Sequence, residues 1–235
     1  MKINGELGKV LSTSPEHKQW NCGMGIFKPG VVYWEENPEG RVIIDGKRCK
    51  ILSKTEYDKN YVLIGGKNYK TAKIGNQTWL AEDLNCTFEG IDIKQGGQLS
   101  TNPAMYYWNN TCFYNGNAIS KIIVPGWRIP TIDDFDILVE AVGGISVAGQ
   151  KLKLSKWSGT NEFGFNGDCV GSMYASGYFG GDGQFVRYWS STTTTGTTYM
   201  YYMQLRTADN AATAGKGSNY SSKNIAYSVR LVKDA

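Results

Sequence analysis

Glycine and large aromatic rings, rather than long apolar runs, set the limits on what this chain can fold into. Its 235 residues include 29 glycines, 15 tyrosines and 7 tryptophans. Glycine makes turns that other residues resist, while Trp and Tyr fill a core between irregular segments. The mixture suits a loop-rich α+β or β protein and speaks against an all-helical one. At 41% apolar and 20% charged residues, the chain can bury a sizeable core. The length fits one large domain, or an ordinary domain with a small companion.

The net charge of +4 comes from scattered Lys and Arg without a run of five. Nucleic-acid binding would need a basic stripe, so no nucleic-acid partner is expected. No stretch of about 18 apolar residues occurs, which excludes a membrane-spanning helix and membrane insertion by that route. The opening residues 1–10, MKINGELGKV, lack the apolar core of about 7–15 residues that a secretory signal needs. Two readings follow: a signal already removed, or a protein released without one, as a virion component is by lysis. Cys22, Cys49, Cys86, Cys112 and Cys169 lie far apart with no CxxC pair. That argues against a zinc ribbon or a thioredoxin-type site and favours free, buried thiols.

Residues 1–66 differ in texture from the rest. Short β-type runs at 30–34 (GVVYW) and 41–44 (RVII) flank Asn37-Pro38-Glu39-Gly40, a turn signal. A third run at 61–64 ends at Gly65-Gly66, which marks a boundary. We read 1–66 as a small β-rich module for attachment or homo-oligomerisation, and 67–235 as the main domain. In the latter, Lys73-Ile74, Gly75-Asn76 and 77–80 (QTWL) predict a hairpin. Met105-Tyr106-Tyr107-Trp108 is either a buried strand or a short helix.

The clearest local signal is 125–144, PGWRIPTIDDFDILVEAVGG. Thr131 is placed to cap a helix by accepting the amide of Asp134. Ile132, Phe135, Leu138, Val139 and Val142 recur at helical spacing, and Gly143-Gly144 stops the helix. A second helix is expected over 147–154. After Trp157 the pattern turns to β, with strands at 185–189 and 199–205 and a closing strand at 225–232. No repeat of 20–50 residues exists, which excludes solenoids and propellers.

Six segments occur in an order that is familiar: IGNQTWLAEDLN (74–85), PGWRIPT (125–131), VGGISVAGQKLK (142–153), NEFGFNG (161–167), YWSST (188–192) and YSVRLVKD (227–234). Together they resemble the Fibrobacter succinogenes major paralogous domain, over residues 67–235. The resemblance implies a C-type-lectin-like fold of the formylglycine-generating-enzyme type. The fold class expected is therefore α+β, with two helices and a small twisted antiparallel sheet. It further implies Trp79, Trp127 and Trp189 as core anchors and Arg230 as a buried or capping cation. The fold is also similar to that of variable proteins whose C-terminal segment is rewritten at adenines by a retroelement.

Catalytic candidates are few. The one histidine, His17, lies in the N-terminal module next to Lys18, where a solvated role accounts for it. Formylglycine-generating relatives use reactive cysteines near the C-terminus, and none follows Cys169 here. Asp133, Asp134, Asp136 and Glu140 begin a helix, so capping and solvation explain them better than acid–base chemistry. The chain is expected not to be an enzyme. No cofactor is expected; calcium through Asp168 or Asp182 stays open, because loops with oxygen ligands suit it. The calcium motifs of sugar-binding C-type lectins are absent, with Trp108-Asn109-Asn110 a weak echo.

The segment 191–228 carries the functional reading. Thirty of its 38 residues are Ser, Thr, Asn, Asp, Ala, Gly or Tyr. Binding loops use such a mix because Tyr offers contact area at small entropic cost while Ser, Asn and Gly adapt their hydrogen bonding. The same set results from rewriting Asn-type codons at adenine. An ordinary Ser/Thr-rich loop between strands is the plainer alternative. The contact residues expected are Tyr188, Thr192, Thr194, Thr197, Tyr199, Tyr201, Asp209, Asn210, Thr213, Ser218, Asn219, Tyr220 and Asn224. The expected function is non-enzymatic binding of a cell-surface protein or glycan, as an adhesin or receptor-binding protein on a phage virion or bacterial surface. The alternative is a structural or assembly protein of such a surface with no dedicated ligand.

Overall fold

A computed structural model describes residues 2–3, 6–7, 33–36, 42–44, 47–52, 59–95, 98–213 and 219–234. His17, Cys22, the 37–40 turn and Ser218 lie outside the described residues. The chain divides into two compact units, Met1–Lys70 and Thr71–Ala235.

In the first unit, β1 (Lys2–Ile3), β2 (Glu6–Leu7), β3 (Tyr33–Glu36), β4 (Val42–Ile44) and β5 (Lys47–Leu52) form one sheet in the order β2-β1-β4-β5-β3. The strands β3 and β4, which flank the 37–40 segment, are not paired with each other; each pairs with β5, which lies between them. Farther on, β6 (Tyr61–Ile64) pairs with the first half of β7 (Lys67–Ile74). Gly65 and Gly66, at φ 57° and 79°, close this hairpin in the left-handed conformations that glycine tolerates. They form its turn rather than a linker, and the division between units falls at Lys70.

The second unit starts with the predicted hairpin: the second half of β7 pairs with β8 (Gln77–Leu80) in the register Ile74↔Gln77. Gly75 has a φ of 58° at the first central position, as a type II′ turn requires. The strands β9 (Asp92–Gln95), β10 (Ala104–Trp108) and β11 (Thr111–Asn115) join β18 (Ala226–Tyr227) in the order β18-β11-β10-β9. The largest sheet comprises β12 (Val170–Met173), β13 (Phe179–Asp182), β14 (Phe185–Thr193), β15 (Tyr199–Arg206), β16 (Ala212–Thr213) and β17 (Tyr220–Ser222). Finally β19 (Val232–Asp234) pairs with β8.

This corrects the expected fold class. Among the described residues strand makes up 42% and helix 15%, and from Tyr61 onward 14 strands form three sheets alongside two helices. A single small sheet does not describe the molecule. The expected closing strand over 225–232 is likewise two strands, β18 and β19, on different sheets. Between them Val229 and Leu231 offer their carbonyls to Leu84 and Leu80, and that irregular stretch carries Arg230 into the interior.

The two helices are α1 (Ile132–Ala141) and α2 (Ile145–Leu152). The Thr131 side chain accepts from the Asp134 amide and Asp134 accepts from the Thr131 amide, a reciprocal capping box. Ile132, Phe135, Leu138 and Val139 bury one face of α1 against Trp79, Phe165, Tyr188, Met203 and Leu205. Trp79 stacks on Phe135 at 5.5 Å and meets Phe165 edge-on. Trp189 is also fully buried. Trp127, expected in the core, is half-buried with the Lys233 ammonium over its ring. Cys169 is a buried free thiol; Cys112 is also buried and Cys86 half-buried.

Of the acidic cluster on α1, Asp133, Asp136 and Glu140 are exposed, whereas Asp134 is buried. Its carboxylate accepts from both Arg128 guanidinium ends, from Gln77 Nε2 at 2.8 Å and from Thr131 N and Oγ1. Burial alone would raise its pKa; the Arg128 and Thr131 donors outweigh it and hold the carboxyl below its ordinary value. A depressed carboxyl stabilises the fold above its unfolded pKa of about 3.9 and loses that contribution as pH falls through the folded value. Asp134→Asn is thus expected to be less stable than wild type at pH 7, with the gap closing below about pH 4. Thermal midpoints across pH 2.5–7 check this; a constant gap would mean that the Asp134 charge contributes nothing.

A tyrosine face at the end of the central hairpin

The strands β14 and β15 form the long hairpin of the central sheet. Their register runs from Phe185↔Arg206 to Trp189↔Tyr202, then shifts to Thr193↔Met200. The shift places two extra residues in β14 just before the turn. Antiparallel neighbours share a face, so Tyr188, Met203 and Leu205 point into the core while Trp189, Tyr202 and Met200 point the other way. Alternation puts Tyr199 and Tyr201 on the same side of β15 as Met203 and Leu205. Tyr201 packs against the edge of the core and Tyr199 is exposed.

The strand β17 completes the cluster through Tyr201↔Tyr220. Tyr220, 55% exposed, meets Tyr199 at 5.8 Å and Tyr201 at 6.3 Å, both edge-on. Edge-to-face contacts fix ring orientation without burying the outer ring surfaces, so Tyr199 and Tyr220 keep exposed ring faces braced on Tyr201. The adjoining turn carries Thr194, Thr195, Gly196 and Thr197. Thr197 N donates to Thr194 O, and Gly196 has a φ of 92°. Thr197 itself has a φ of 59°, a left-handed conformation that a β-branched residue adopts only under strain.

The structure divides the thirteen expected contact residues. Tyr188 is withdrawn from the surface: it is fully buried, edge-on to Phe165, with its hydroxyl 3.4 Å from Arg230. Strand alternation sends it to the core face, which its polar neighbours in sequence concealed. Thr194, Thr197, Tyr199, Tyr201, Asn219 and Tyr220 gather around the end of the hairpin. Thr192 lies beside them, where its hydroxyl accepts from the Ile132 amide at the start of α1. The Asn224 amide oxygen accepts from Asn117 Nδ2 at 3.1 Å, on the reverse side of the hairpin.

Asp209 and Asn210 lie elsewhere, past the opposite end of β15, whereas Thr213 pairs with Gln204 partway along that strand. Seven residue steps of about 3.3 Å separate the two ends by roughly 23 Å. Lys153 shapes that far loop: it is fully buried, its ammonium donates to Arg206 O and Asp209 O, and burial lowers its pKa. The Asp209 side chain pairs with Arg206.

The Asp168 carboxylate accepts from Trp157 Nε1 and Lys156 Nζ, and that of Asp182 meets Asn109 Nδ2 at 3.5 Å. Among the described residues no three acidic, histidine or cysteine side chains group as metal ligands. Burial pushes the Cys169 thiol up to about 12, so it is protonated at neutral pH.

Residues 72–233 match the Fibrobacter succinogenes major domain, and the chain belongs to that family. No curated protein and no solved structure matches it.

Proposed function

We propose that the second unit is a non-enzymatic ligand-binding domain, acting as an adhesin or receptor-binding protein at a phage or bacterial surface. One observation carries this reading. Tyr199, Tyr201 and Tyr220 form a mutually braced cluster, with Tyr199 and Tyr220 exposed, beside a turn of threonines. Rigid aromatic area beside adaptable hydroxyls is the chemistry of binding loops, and no charged side chain belongs to the cluster. Its partner is a cell-surface protein or glycan, engaged through contacts that salt screens little. The composition of 191–228 further supports diversification of this face by adenine rewriting, with each variant reading a different partner.

The test is binding of the labelled full chain to a panel of intact bacterial cells, followed by flow cytometry. Binding to any cell type recognised by wild type is expected to weaken about 30-fold or more in Tyr199→Ala/Tyr220→Ala, since even one truncated hot-spot ring costs about 2 kcal/mol. Retained binding by a folded double variant would remove the tyrosine face from the function. Sequencing the gene across one population addresses the diversification. Substitutions confined to adenines of codons 190–228 are expected, and an invariant segment would exclude it.

A further inference from the structure

On the reverse side of the same hairpin lies a cavity of about 300 Å³. Thr193 and Met200, paired across the hairpin, line it together with Ser191, Ile119, Ile129 and Lys223. Its inner wall is apolar: Met200, Ile119 and Ile129 are each at least nine-tenths buried. Its rim is polar, and among the described residues Lys223 is the only charged one on the wall. Among the described residues no carboxylate and no aromatic ring lines it.

The rim is held by the fold. Asn117 Nδ2 donates to Lys223 O at 3.3 Å, and Lys223 N donates to Thr198 O. Gly116 lies so close that a Cβ there would meet Lys223 Cα at 2.7 Å, so only glycine admits this approach.

We infer that this cavity is a second subsite that takes a glutamate side chain of a protein partner; the inference rests on the binding role proposed above. An aliphatic stem fits the apolar wall, and the carboxylate meets the Lys223 ammonium and the Thr193 hydroxyl. A sugar ring is disfavoured because there is no aromatic face for it to stack on.

The test uses the full chain labelled with ¹³C-methyl methionine, with the Met200 methyl assigned through Met200→Leu. N-acetyl-glutamate amide is expected to shift the Met200 resonance saturably, and the glutamine analogue to bind about threefold more weakly, the size of a partly exposed charge pair. Lys223→Gln should erase that preference, and Thr193→Val, which keeps Lys223 in place, should weaken the glutamate response. Equal shifts by the two amides, or a preference that survives Lys223→Gln, would overturn the assignment. Tighter binding of glucuronate than of the glutamate amide would overturn it in favour of an acidic glycan. The Tyr199→Ala/Tyr220→Ala variant separates the two claims: its Met200 response persists whether or not the tyrosine face binds cells.

Discussion

Arg230→Met will cost the second unit about 3–5 kcal/mol, the range for breaking a buried charge pair from one side. Arg230 is 1% exposed and uses its whole guanidinium. Its Nε donates to Asp83 Oδ1 at 2.7 Å, Nη1 to the carbonyls of Leu80 and Phe165, and Nη2 to the carbonyl of Asn166. The plane of the group also lies over the Phe165 and Tyr188 rings, at 4.6 and 5.1 Å. Methionine fills the space but leaves the Asp83 carboxylate and three inward carbonyls without their donor. Lysine cannot substitute, because a single ammonium does not reproduce a planar fork. Denaturant unfolding followed through tryptophan fluorescence checks this, since Trp79 and Trp189 report on this unit. A loss below about 1 kcal/mol would mean that water or backbone movement replaces the network.

Gly149→Ala is the second large effect, and its sign is diagnostic. Gly149 sits in α2, where helix propensity alone predicts that alanine stabilises by about 1 kcal/mol. Packing predicts the reverse. A Cβ at Gly149 would lie 2.2 Å from Ala211 O and 2.8 Å from Asn210 O, both backbone atoms. The strand-side loop cannot retreat freely, because Gln150 N donates to Asn210 O at 2.9 Å. Overpacking of this kind costs about 1–3 kcal/mol, so the variant is expected to be destabilised. A stabilised variant would show that the loop carrying Asp209 and Asn210 yields at little cost.

The candidate face was legible in part. Composition singled out 191–228, and Tyr199, Tyr201 and Tyr220 do meet there, although they are up to 21 residues apart. Starting the face as early as Tyr188 drew in a buried residue, because composition carries no information on which side of a strand a residue faces. Composition also merged Asp209 and Asn210 with the tyrosines, though one strand length separates them, and Thr213, which pairs with Gln204 three residues along β15 from Tyr201. The reverse-side cavity had no sequence signal, since Asn117 meets Lys223 across 106 positions.

What the sequence determined by itself is local. The Thr131 cap, the apolar face of α1 and the Gly75-Asn76 turn follow from hydrogen bonds and dihedral preferences within a few residues. Six motifs in order identified the family. What only the tertiary structure decided is the sheet organisation: three sheets where one small sheet was expected, and a C-terminal run split between two of them. Strand partners are chosen by contacts distant in sequence, so alternation within a segment predicts a strand without saying which sheet it joins. Arg230 shows the limit most plainly. The resemblance implied a buried or capping cation there, but only the fold brings Asp83, 147 positions away, to meet it.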